Sequence, residues 1–287
     1  MRELQLINGQ TMPVLGLGTW RMGEASASRN AEVAAVRTAI DMGYRLIDTA
    51  EMYGEGGAET VVGLALAEAL RAGAVKREEL LVVSKVYPHN ASRRGTVSAC
   101  ERSRKRLGLD RIDVYLLHWR GSHPLAETVE AMESLVQAGH IGSWGVSNFD
   151  VDDMQELSAV ITRLGASACA TNQVYFSLSE RGPEFSLLPW MRERAMPLMA
   201  YSPIDQGTLA GDDTLAQIGR ERGLTAAQVA LAWVVSRPGV AAIPKASSAS
   251  HLQENLAAGS VRLTEDDLQR IDKRFAPPKK KTPLSMI

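Results

Sequence analysis

The chain has 287 residues, 45% hydrophobic and 23% charged, with a formal net charge of −1. A chain of this length and composition can bury a sizeable core as a globular protein. The near-zero charge excludes the basic surface on which nucleic-acid or anionic-membrane binding depends. No apolar run is long enough to span a bilayer, and the N-terminus lacks a basic segment followed by an apolar one. We therefore expect a cytoplasmic protein with no membrane partner.

The two cysteines, Cys100 and Cys169, are isolated and form no CxxC motif. Such thiols are typical of a reduced compartment, and we expect both to be small buried hydrophobic residues. Zinc-ligand spacings, HExxH, P-loop and GxSxG motifs are also absent, so the sequence predicts no metal site.

Short apolar runs alternate with longer helical patterns along the chain. A turn at Asn8-Gly9 predicts a short N-terminal β-hairpin. The predicted strands then cover residues 12–18, 46–48, 81–84, 113–117, 141–146, 168–174, 197–202 and 240–243. The predicted helices cover residues 31–42, 58–72, 96–107, 125–138, 151–164, 185–194, 213–222, 225–236 and 249–257.

The chain closes with one further helix and a tail. Thr264-Glu265-Asp266-Asp267 resembles a capping box and predicts a helix that runs to about Phe275. From about residue 277 the sequence predicts an irregular tail, in which Lys279-Lys280-Lys281 forms a solvated surface segment.

Eight strands that are each followed by a helix predict an α/β fold, a (β/α)8 TIM barrel. We expect one domain over residues 1–287, with a short N-terminal β-hairpin and an extra C-terminal helix. A doubly wound sheet is the alternative. It is disfavoured because Gly16-Leu17-Gly18 lacks the third glycine and the following helix of a dinucleotide-binding motif.

Polar side chains stand at the ends of three successive predicted strands. Asp48 ends the second predicted strand, Lys85 and His118 directly follow the third and fourth, and Tyr53 lies one loop beyond Asp48. Each alone has a structural explanation, as a helix cap, a surface amine, a core histidine or a turn aromatic. In a barrel, however, the carboxyl ends of the strands meet at one rim and form the active site. The four together therefore indicate catalysis.

This combination is suited to general acid catalysis by a phenol. A free tyrosine, with a pKa of about 10, is a poor acid at neutral pH. We expect the Lys85 ammonium to lower the pKa of Tyr53, while Asp48 holds the ammonium in place. His118 can orient the carbonyl oxygen that receives the proton. The set contains no reductant, so a hydride-donating cofactor is implied.

A series of short motifs runs in order from the first strand to the last helix. They are Gly16-Leu17-Gly18-Thr19-Trp20, Asp48-Thr49-Ala50, Tyr53-Gly54, Ser84-Lys85, Leu117-His118-Trp119, Gly145-Val146-Ser147-Asn148-Phe149, Asn172-Gln173-Val174, Tyr201-Ser202-Pro203, Ile243-Pro244-Lys245 and Glu254-Asn255. Over nearly the whole chain, this ordered set resembles the signatures of the aldo-keto reductase superfamily. Lys85-Val86-Tyr87-Pro88 further resembles bacterial reductases of the methylglyoxal and diketogluconate type.

The resemblance implies a catalytic tetrad of Asp48, Tyr53, Lys85 and His118, with Tyr53 as proton donor and NADPH (NADP+) as cofactor. It implies that Ser147, Asn148 and Gln173 bind the nicotinamide carboxamide and that Tyr201 stacks on the ring. The other implied cofactor-binding residues are Gly18, Thr19, Trp20, Asp48, Ser202, Pro203, Ile204, Gln206, Lys245, Ser247, His251, Glu254 and Asn255. The implied wall of the substrate pocket consists of Trp20, Tyr53, Tyr87, His118, Trp119 and Phe149.

One position departs from the family pattern. At His251 many members of the family carry an arginine that pairs with the 2′-phosphate of NADPH. Histidine lacks the bidentate fork and is mostly neutral at pH 7. We therefore expect NADPH to be preferred, with NADH as a weaker alternative cofactor.

These observations predict a monomeric NADPH-dependent carbonyl reductase whose partner is a small aldehyde or ketone. A Schiff-base aldolase that uses Lys85 is one alternative, disfavoured because Asp48 would keep the amine charged. A redox-sensing protein that holds NADPH but turns over slowly is another. It is disfavoured because the chain is compact and lacks an additional interaction domain.

Overall fold

The computed structural model describes residues 2–287. Within this range the strands are β1 (Glu3–Gln5), β2 (Thr11–Pro13), β3 (Leu17–Gly18), β4 (Leu46–Asp48), β5 (Leu81–Val86), β6 (Ile112–Leu117), β7 (Ile141–Ser147), β8 (Asn172–Tyr175), β9 (Leu198–Tyr201) and β10 (Val240–Ala242). The α-helices are α1 (Arg29–Asp41), α2 (Gly57–Arg71), α3 (Arg93–Leu107), α4 (Leu125–Gln137), α5 (Val151–Leu164), α6 (Leu187–Glu193), α7 (Asp213–Arg222), α8 (Ala226–Ser236), α9 (Ala249–Ala258) and α10 (Glu265–Arg274).

Strands β3 to β10 form one eight-stranded parallel sheet in sequence order. The sheet closes on itself through parallel bridges that join Leu15 to Ala242 and Gly18 to Lys245. At this seam the Gly16 amide donates to the Ala242 carbonyl at 2.9 Å. The helices surround the strands, so the predicted (β/α)8 barrel is confirmed, and the extra helix α10 follows the last barrel helix.

The predicted N-terminal hairpin is also present, as the antiparallel pair β1 and β2. Asn8 and Gly9 form its turn, where Gly9 adopts a φ of 84° and the Asn8 carboxamide accepts from the Gln10 amide at 3.1 Å. Leu6 and Met12 from this hairpin are buried in one cluster with the inward-facing residues of the barrel strands. The hairpin therefore covers the amino-terminal end of the barrel.

The core has two layers, because each barrel strand is buried on both faces. The inner cluster fills the barrel and contains Leu46, Leu81, Val83, Val114, Leu116, Met199, Ala241 and Ile243 in addition to the hairpin residues. The larger outer cluster lies between the strands and the helices. Such filling leaves no pore, so chemistry is confined to the rim at the carboxyl ends of the strands.

Several predicted element bounds differ from the structure, as three elements illustrate. The single strand expected over residues 12–18 is divided between β2 and β3, because its first part pairs with the hairpin and its last part with the barrel. The strand expected from residue 168 begins at Asn172. The helix expected over residues 185–194 is shortened to α6, since a 3-10 turn over Gly182–Glu184 precedes it.

The tail after α10 contains neither helix nor strand but contacts the barrel. Lys281 pairs with Asp150 at 3.3 Å, and the Ser285 hydroxyl donates to Glu180 at 2.8 Å. None of the helices within residues 2–287 is both long and apolar enough to cross a bilayer.

Helices α2 and α3 make a close contact that only glycine permits. A Cβ on Gly63 would lie 2.4 Å from the carbonyl oxygen of Arg106 and 2.9 Å from the Leu107 backbone. Backbone atoms cannot move aside as a flexible side chain can. The glycine at this position therefore sets the distance between the two helices.

We predict that Gly63→Ala lowers the free energy of unfolding by about 1–3 kcal/mol, because overpacking outweighs the gain in helix propensity. Urea denaturation measures the change. Gly211→Ala is the matched control, since a Cβ at Gly211 meets no atom within 4 Å. Equal free energies of unfolding for the two variants would show that α2 and α3 can move apart without loss of stability.

Candidate active site

Three barrel strands deliver the central side chains of the rim. Asp48 is the last residue of β4, Lys85 lies near the end of β5, and His118 directly follows β6. All three are buried, at 2%, 0% and 7% exposure. Strand alternation turns Lys85 toward the barrel axis and its neighbour Ser84 toward the helices. The structure therefore brings together the residues that the sequence placed on one rim.

Lys85 is the centre of this group. Its Nζ donates to Asp48 Oδ2 at 2.8 Å, to the Thr49 carbonyl at 2.9 Å and to the Tyr53 hydroxyl at 3.2 Å. An ammonium carries three N–H donors, and each has an acceptor here. The donor set thus matches the charged form of the side chain.

Asp48 is held from two sides. Its second carboxylate oxygen accepts from the Gln173 carboxamide at 2.7 Å, and its backbone carbonyl accepts from the Thr19 hydroxyl at 2.9 Å. Burial raises the pKa of Asp48, while Lys85 and Gln173 lower it. Burial also lowers the pKa of Lys85, against the opposing effect of Asp48. The pair is therefore maintained by direct contact in a site that disfavours isolated charge.

Tyr53 is presented by a tight turn that follows β4. Gly54, Glu55 and Gly56 all adopt left-handed φ values, of 57°, 51° and 87°. Burial raises the pKa of Tyr53 well above its usual value, and the Asp48 carboxylate raises it further. The pKa of Tyr53, which the sequence predicted to be lowered by Lys85, is therefore raised instead. The phenol keeps its proton at neutral pH and is available as a donor.

His118 lies beside Tyr53 at the same rim. Its ring lies 5.7 Å from the Tyr53 ring in an edge-to-face arrangement. Its Nδ1 is buried and has no hydrogen-bond partner among residues 2–287. Burial lowers the pKa of His118 well below its usual value, and the Lys85 charge lowers it further. The imidazole is therefore neutral.

Aromatic rings continue outward from His118. Trp119 lies 4.8 Å from the His118 ring and 5.8 Å from the Tyr87 ring. Trp20 is half-buried, and the Arg21 guanidinium lies 4.6 Å from the centre of its ring. Phe149, predicted to line the substrate pocket, is instead fully buried in the outer core.

The residues predicted to bind the carboxamide form a polar network at the ends of β7, β8 and β9. The Asn148 carboxamide donates to the Ser147 hydroxyl at 3.1 Å and accepts from the Tyr201 hydroxyl at 2.9 Å. Asn148 adopts a left-handed φ of 60°. Gln173 lies beside this network, although its amide nitrogen is bonded to Asp48.

The loop after β9 has an unusual backbone. Ser202, Asp205 and Gln206 adopt φ values of 47°, 51° and 52°. Tyr175 stacks on Tyr201, with ring centres 5.7 Å apart, and its hydroxyl donates to Asp205. Pro203 is buried and Ile204 is half-buried, whereas Gln206 is exposed. The loop predicted to cover the pyrophosphate is therefore held at the rim by the contact between Tyr175 and Asp205.

The residues predicted to bind the 2′-phosphate surround the amino end of α9. Lys245, Ser247 and His251 are all exposed there. Ser248 caps the helix, accepting from the His251 amide at 3.3 Å. Farther along the helix, Glu254 is half-buried and Asn255 is buried. Gly18 joins this region to the first barrel strand through its bridge to Lys245.

Glu51 supports the site but was not among the residues that the sequence predicted to act there. This carboxylate is buried and accepts from the Tyr87 amide at 2.8 Å and from the Asn90 carboxamide at 3.0 Å. It also pairs with Arg102 at 3.4 Å. Glu51 therefore fixes the segment that presents the Tyr87 ring. Its position directly after Asp48-Thr49-Ala50 was the only available signal.

Comparisons with known proteins agree with this geometry. The aldo/keto reductase family matches residues 14–275. The methylglyoxal reductase YeaE of Escherichia coli (strain K12) is 47% identical, over 100% of this chain and 99% of the relative. An aldo/keto reductase from Klebsiella pneumoniae, solved in complex with NADP and acetate, is 45% identical with a TM-score of 0.90 and covers 99% of both chains. A second structure from that organism, in complex with NADPH, has the same identity and TM-score over 100% of both chains.

The chain is a closed (β/α)8 barrel with an acid, a phenol, an amine and an imidazole on its carboxyl rim. Together with these comparisons, this arrangement identifies an NAD(P)H-dependent oxidoreductase. The chain belongs to the aldo/keto reductase family.

The depressed pKa of His118 predicts an acid-dependent loss of stability. Below about pH 6.5 the unfolded chain binds a proton at this histidine and the folded chain does not. The free energy of unfolding should therefore fall as the pH drops below that value, by up to about 1.4 kcal/mol per pH unit for this one proton.

Urea denaturation between about pH 7.5 and pH 5 measures this dependence. His118→Gln should show a shallower slope than the wild type, because it removes the proton acceptor from the unfolded chain. His251→Gln, which removes an exposed imidazole, is the matched control. Identical slopes for wild type and His118→Gln would contradict the assignment of a neutral buried His118.

Proposed function

We propose that the protein reduces aldehydes or ketones to alcohols, with NADPH as hydride donor and Tyr53 as proton donor. The observation that carries this proposal is the Lys85 Nζ, which bridges the Asp48 carboxylate at 2.8 Å and the Tyr53 hydroxyl at 3.2 Å. Family membership and the NADP- and NADPH-bound structures of similar proteins support it.

The side chains divide the work of proton transfer. When bound, NADPH supplies the hydride to the carbonyl carbon. Tyr53 donates its proton to the carbonyl oxygen, and the Lys85 ammonium stabilises the phenolate that remains. Asp48 keeps Lys85 in place, and the neutral His118 holds the carbonyl oxygen within reach of the phenol. The raised pKa of Tyr53 keeps the phenol protonated until the substrate oxygen gains charge.

The residues of the rim fit this cofactor. Ser147, Asn148 and Gln173 combine donors and acceptors in the arrangement that a carboxamide needs, which fixes the ring face presented to the substrate. Tyr201 offers an aromatic surface for the ring, and the exposed Lys245 a charge for the 2′-phosphate. The loop over residues 202–206 would cover the pyrophosphate, and Glu254 with Asn255 would hold the adenine.

The substrate proposed for this site is a small carbonyl compound, such as a 2-oxoaldehyde. The similar E. coli protein is a methylglyoxal reductase, and the wall formed by Trp20, Tyr87 and Trp119 is aromatic. We further infer that the chain acts as a single-domain monomer in the cytoplasm, without a nucleic-acid or membrane partner.

A Schiff-base reaction at Lys85 is disfavoured by the geometry. A nucleophilic amine needs a free lone pair directed at the substrate. All three donors of Lys85 are engaged, by Asp48, Thr49 and Tyr53. Borohydride treatment with a carbonyl substrate, in the absence of NADPH, should therefore leave the mass of the protein unchanged.

We predict that Tyr53→Phe lowers kcat for carbonyl reduction by about 10²–10⁴-fold, because general acid catalysis contributes that much. The affinity for NADPH should change by less than about threefold, since the phenol binds no part of the cofactor (about 0.7 kcal/mol). Single-turnover NADPH oxidation and fluorescence titration measure the two quantities. Tyr87→Phe removes a hydroxyl from the wall and is the matched control. If Tyr53→Phe retains more than about a tenth of wild-type kcat, the acid is another group.

A second prediction concerns the cofactor phosphate. His251→Arg should tighten NADPH binding by about tenfold and leave NADH binding unchanged, because a charge-assisted hydrogen bond contributes about 1.5–3 kcal/mol. Gln253→Arg adds the same charge elsewhere on α9 and should not change the ratio. Fluorescence titration with both cofactors tests this. An unmoved NADPH/NADH affinity ratio in His251→Arg would place His251 away from the phosphate.

A further inference from the structure

A second buried carboxylate lies behind the catalytic rim, on the helix side of the barrel wall. Glu59, near the start of α2, is fully buried. It accepts from the Ser84 hydroxyl at 2.5 Å and from Arg106 Nε at 2.6 Å. The three residues belong to α2, β5 and α3, so one carboxylate joins three elements. Nothing in the reaction described above uses it.

The contact with Ser84 acts on Lys85. Ser84 and Lys85 are consecutive in β5 and point to opposite faces of the strand. Glu59 therefore contacts β5 from outside the barrel at Ser84, and Asp48 contacts it from inside at Lys85. A shift of the β5 backbone at Ser84 would move Lys85 relative to both Asp48 and Tyr53.

The contact with Arg106 acts on Tyr53. The Arg106 side chain covers Gly56, where a Cβ would meet its Nε at 2.5 Å. Gly56 ends the left-handed turn that presents Tyr53, and the Thr60 hydroxyl donates to the Gly56 carbonyl at 3.1 Å. The pair of Glu59 and Arg106 thus packs against the far end of the Tyr53 turn.

We propose that Glu59 is a positioning residue for carbonyl reduction, which acts through Ser84 and Arg106 to fix the Lys85 ammonium against the Tyr53 hydroxyl. This inference rests on the proposed function of the site. A carboxylate with a purely structural role could lie against any element of the fold. Glu59 instead contacts the residue before Lys85 and the cation that covers the Tyr53 turn.

Charge supports the same conclusion. The groups that face Lys85 inside the barrel are Asp48 on β4, Tyr53 in the turn and His118 after β6, while Glu59 on α2 lies behind the strand. Burial lowers the pKa of Lys85, while Asp48 and, to a smaller extent, Glu59 raise it. Glu59 therefore helps to keep Lys85 charged at the pH at which Tyr53 acts.

The test compares Glu59→Gln and Ser84→Ala with the wild type. Each should lower kcat for carbonyl reduction by about 3–30-fold with the NADPH dissociation constant unchanged, because small misplacements of catalytic groups are costly. In Glu59→Gln the alkaline limb of the kcat profile should also move to lower pH, since Lys85 loses its proton more easily. Glu68→Gln, which removes an exposed carboxylate from the same helix, is the matched control.

The double variant distinguishes positioning from general destabilisation. If Glu59 acts through Ser84, the combined loss in kcat should be smaller than the product of the single losses. Ser84→Ala removes one hydroxyl and leaves the Glu59–Arg106 ion pair in place, so it tests the proposal even if Glu59→Gln does not fold. An unchanged kcat in Ser84→Ala, or an alkaline limb in Glu59→Gln that coincides with that of Glu68→Gln, would overturn the inference.

A readout independent of turnover separates this inference from the proposed function. NMR titration of ¹³C-labelled lysine, with Lys85→Met to assign the signal, reports the pKa of Lys85 directly. That pKa should be lower in Glu59→Gln than in the wild type. If the wild type reduces no carbonyl but the titration shifts, the proposed function fails and the coupling of Glu59 to Lys85 stands. If reduction occurs and the titration does not shift, the inference fails alone.

Discussion

The buried ammonium of Lys85 is the interaction on which the architecture of the site depends. A charge at 0% exposure is stable only if acceptors replace the water it has lost. The barrel supplies them from a strand end, a backbone carbonyl and a turn. The rim must therefore hold three separate segments at hydrogen-bond distance from a single nitrogen. Any looser arrangement would leave the ammonium unpaired.

This requirement explains why the residues around the site are so constrained. The Tyr53 turn passes through three left-handed residues, and Arg106 covers its last glycine. Asp48 is held by Gln173 from across the barrel, and β5 is fixed from outside by Glu59. The residues that make these supporting contacts are not proposed to bind the carbonyl substrate. They restrict the motion of the groups that do, which is the usual function of the layer around a catalytic site.

Much of the fold and the centre of the site could be predicted from the sequence. The alternation of apolar runs with helical patterns identified the barrel strands. Strand ends then located Asp48, Lys85 and His118, because the carboxyl ends of parallel strands share one rim. The division of residues 12–18 between the hairpin and the barrel was missed, since both parts are apolar and only their pairing partners distinguish them.

The supporting residues could not be predicted, for a physical reason. Glu51 and Glu59 lie in segments whose acidic side chains resemble solvated ones, and their burial depends on partners far along the chain. The same limit applies to Phe149, since proximity to a strand end does not determine whether a ring faces the rim or the core. The upward shift in the pKa of Tyr53 likewise results mainly from burial, which no local sequence pattern encodes.

The seam of the barrel has a consequence for its energetics. The first and last strands close the barrel through two bridges, Leu15 to Ala242 and Gly18 to Lys245, together with backbone hydrogen bonds such as that from Gly16 to Ala242. The segments on either side of this seam are also those proposed to hold the cofactor. A ligand that contacts both segments would span this seam, and its binding free energy would add to the stability of the folded chain. Occupancy of the site and integrity of the barrel would then be thermodynamically linked.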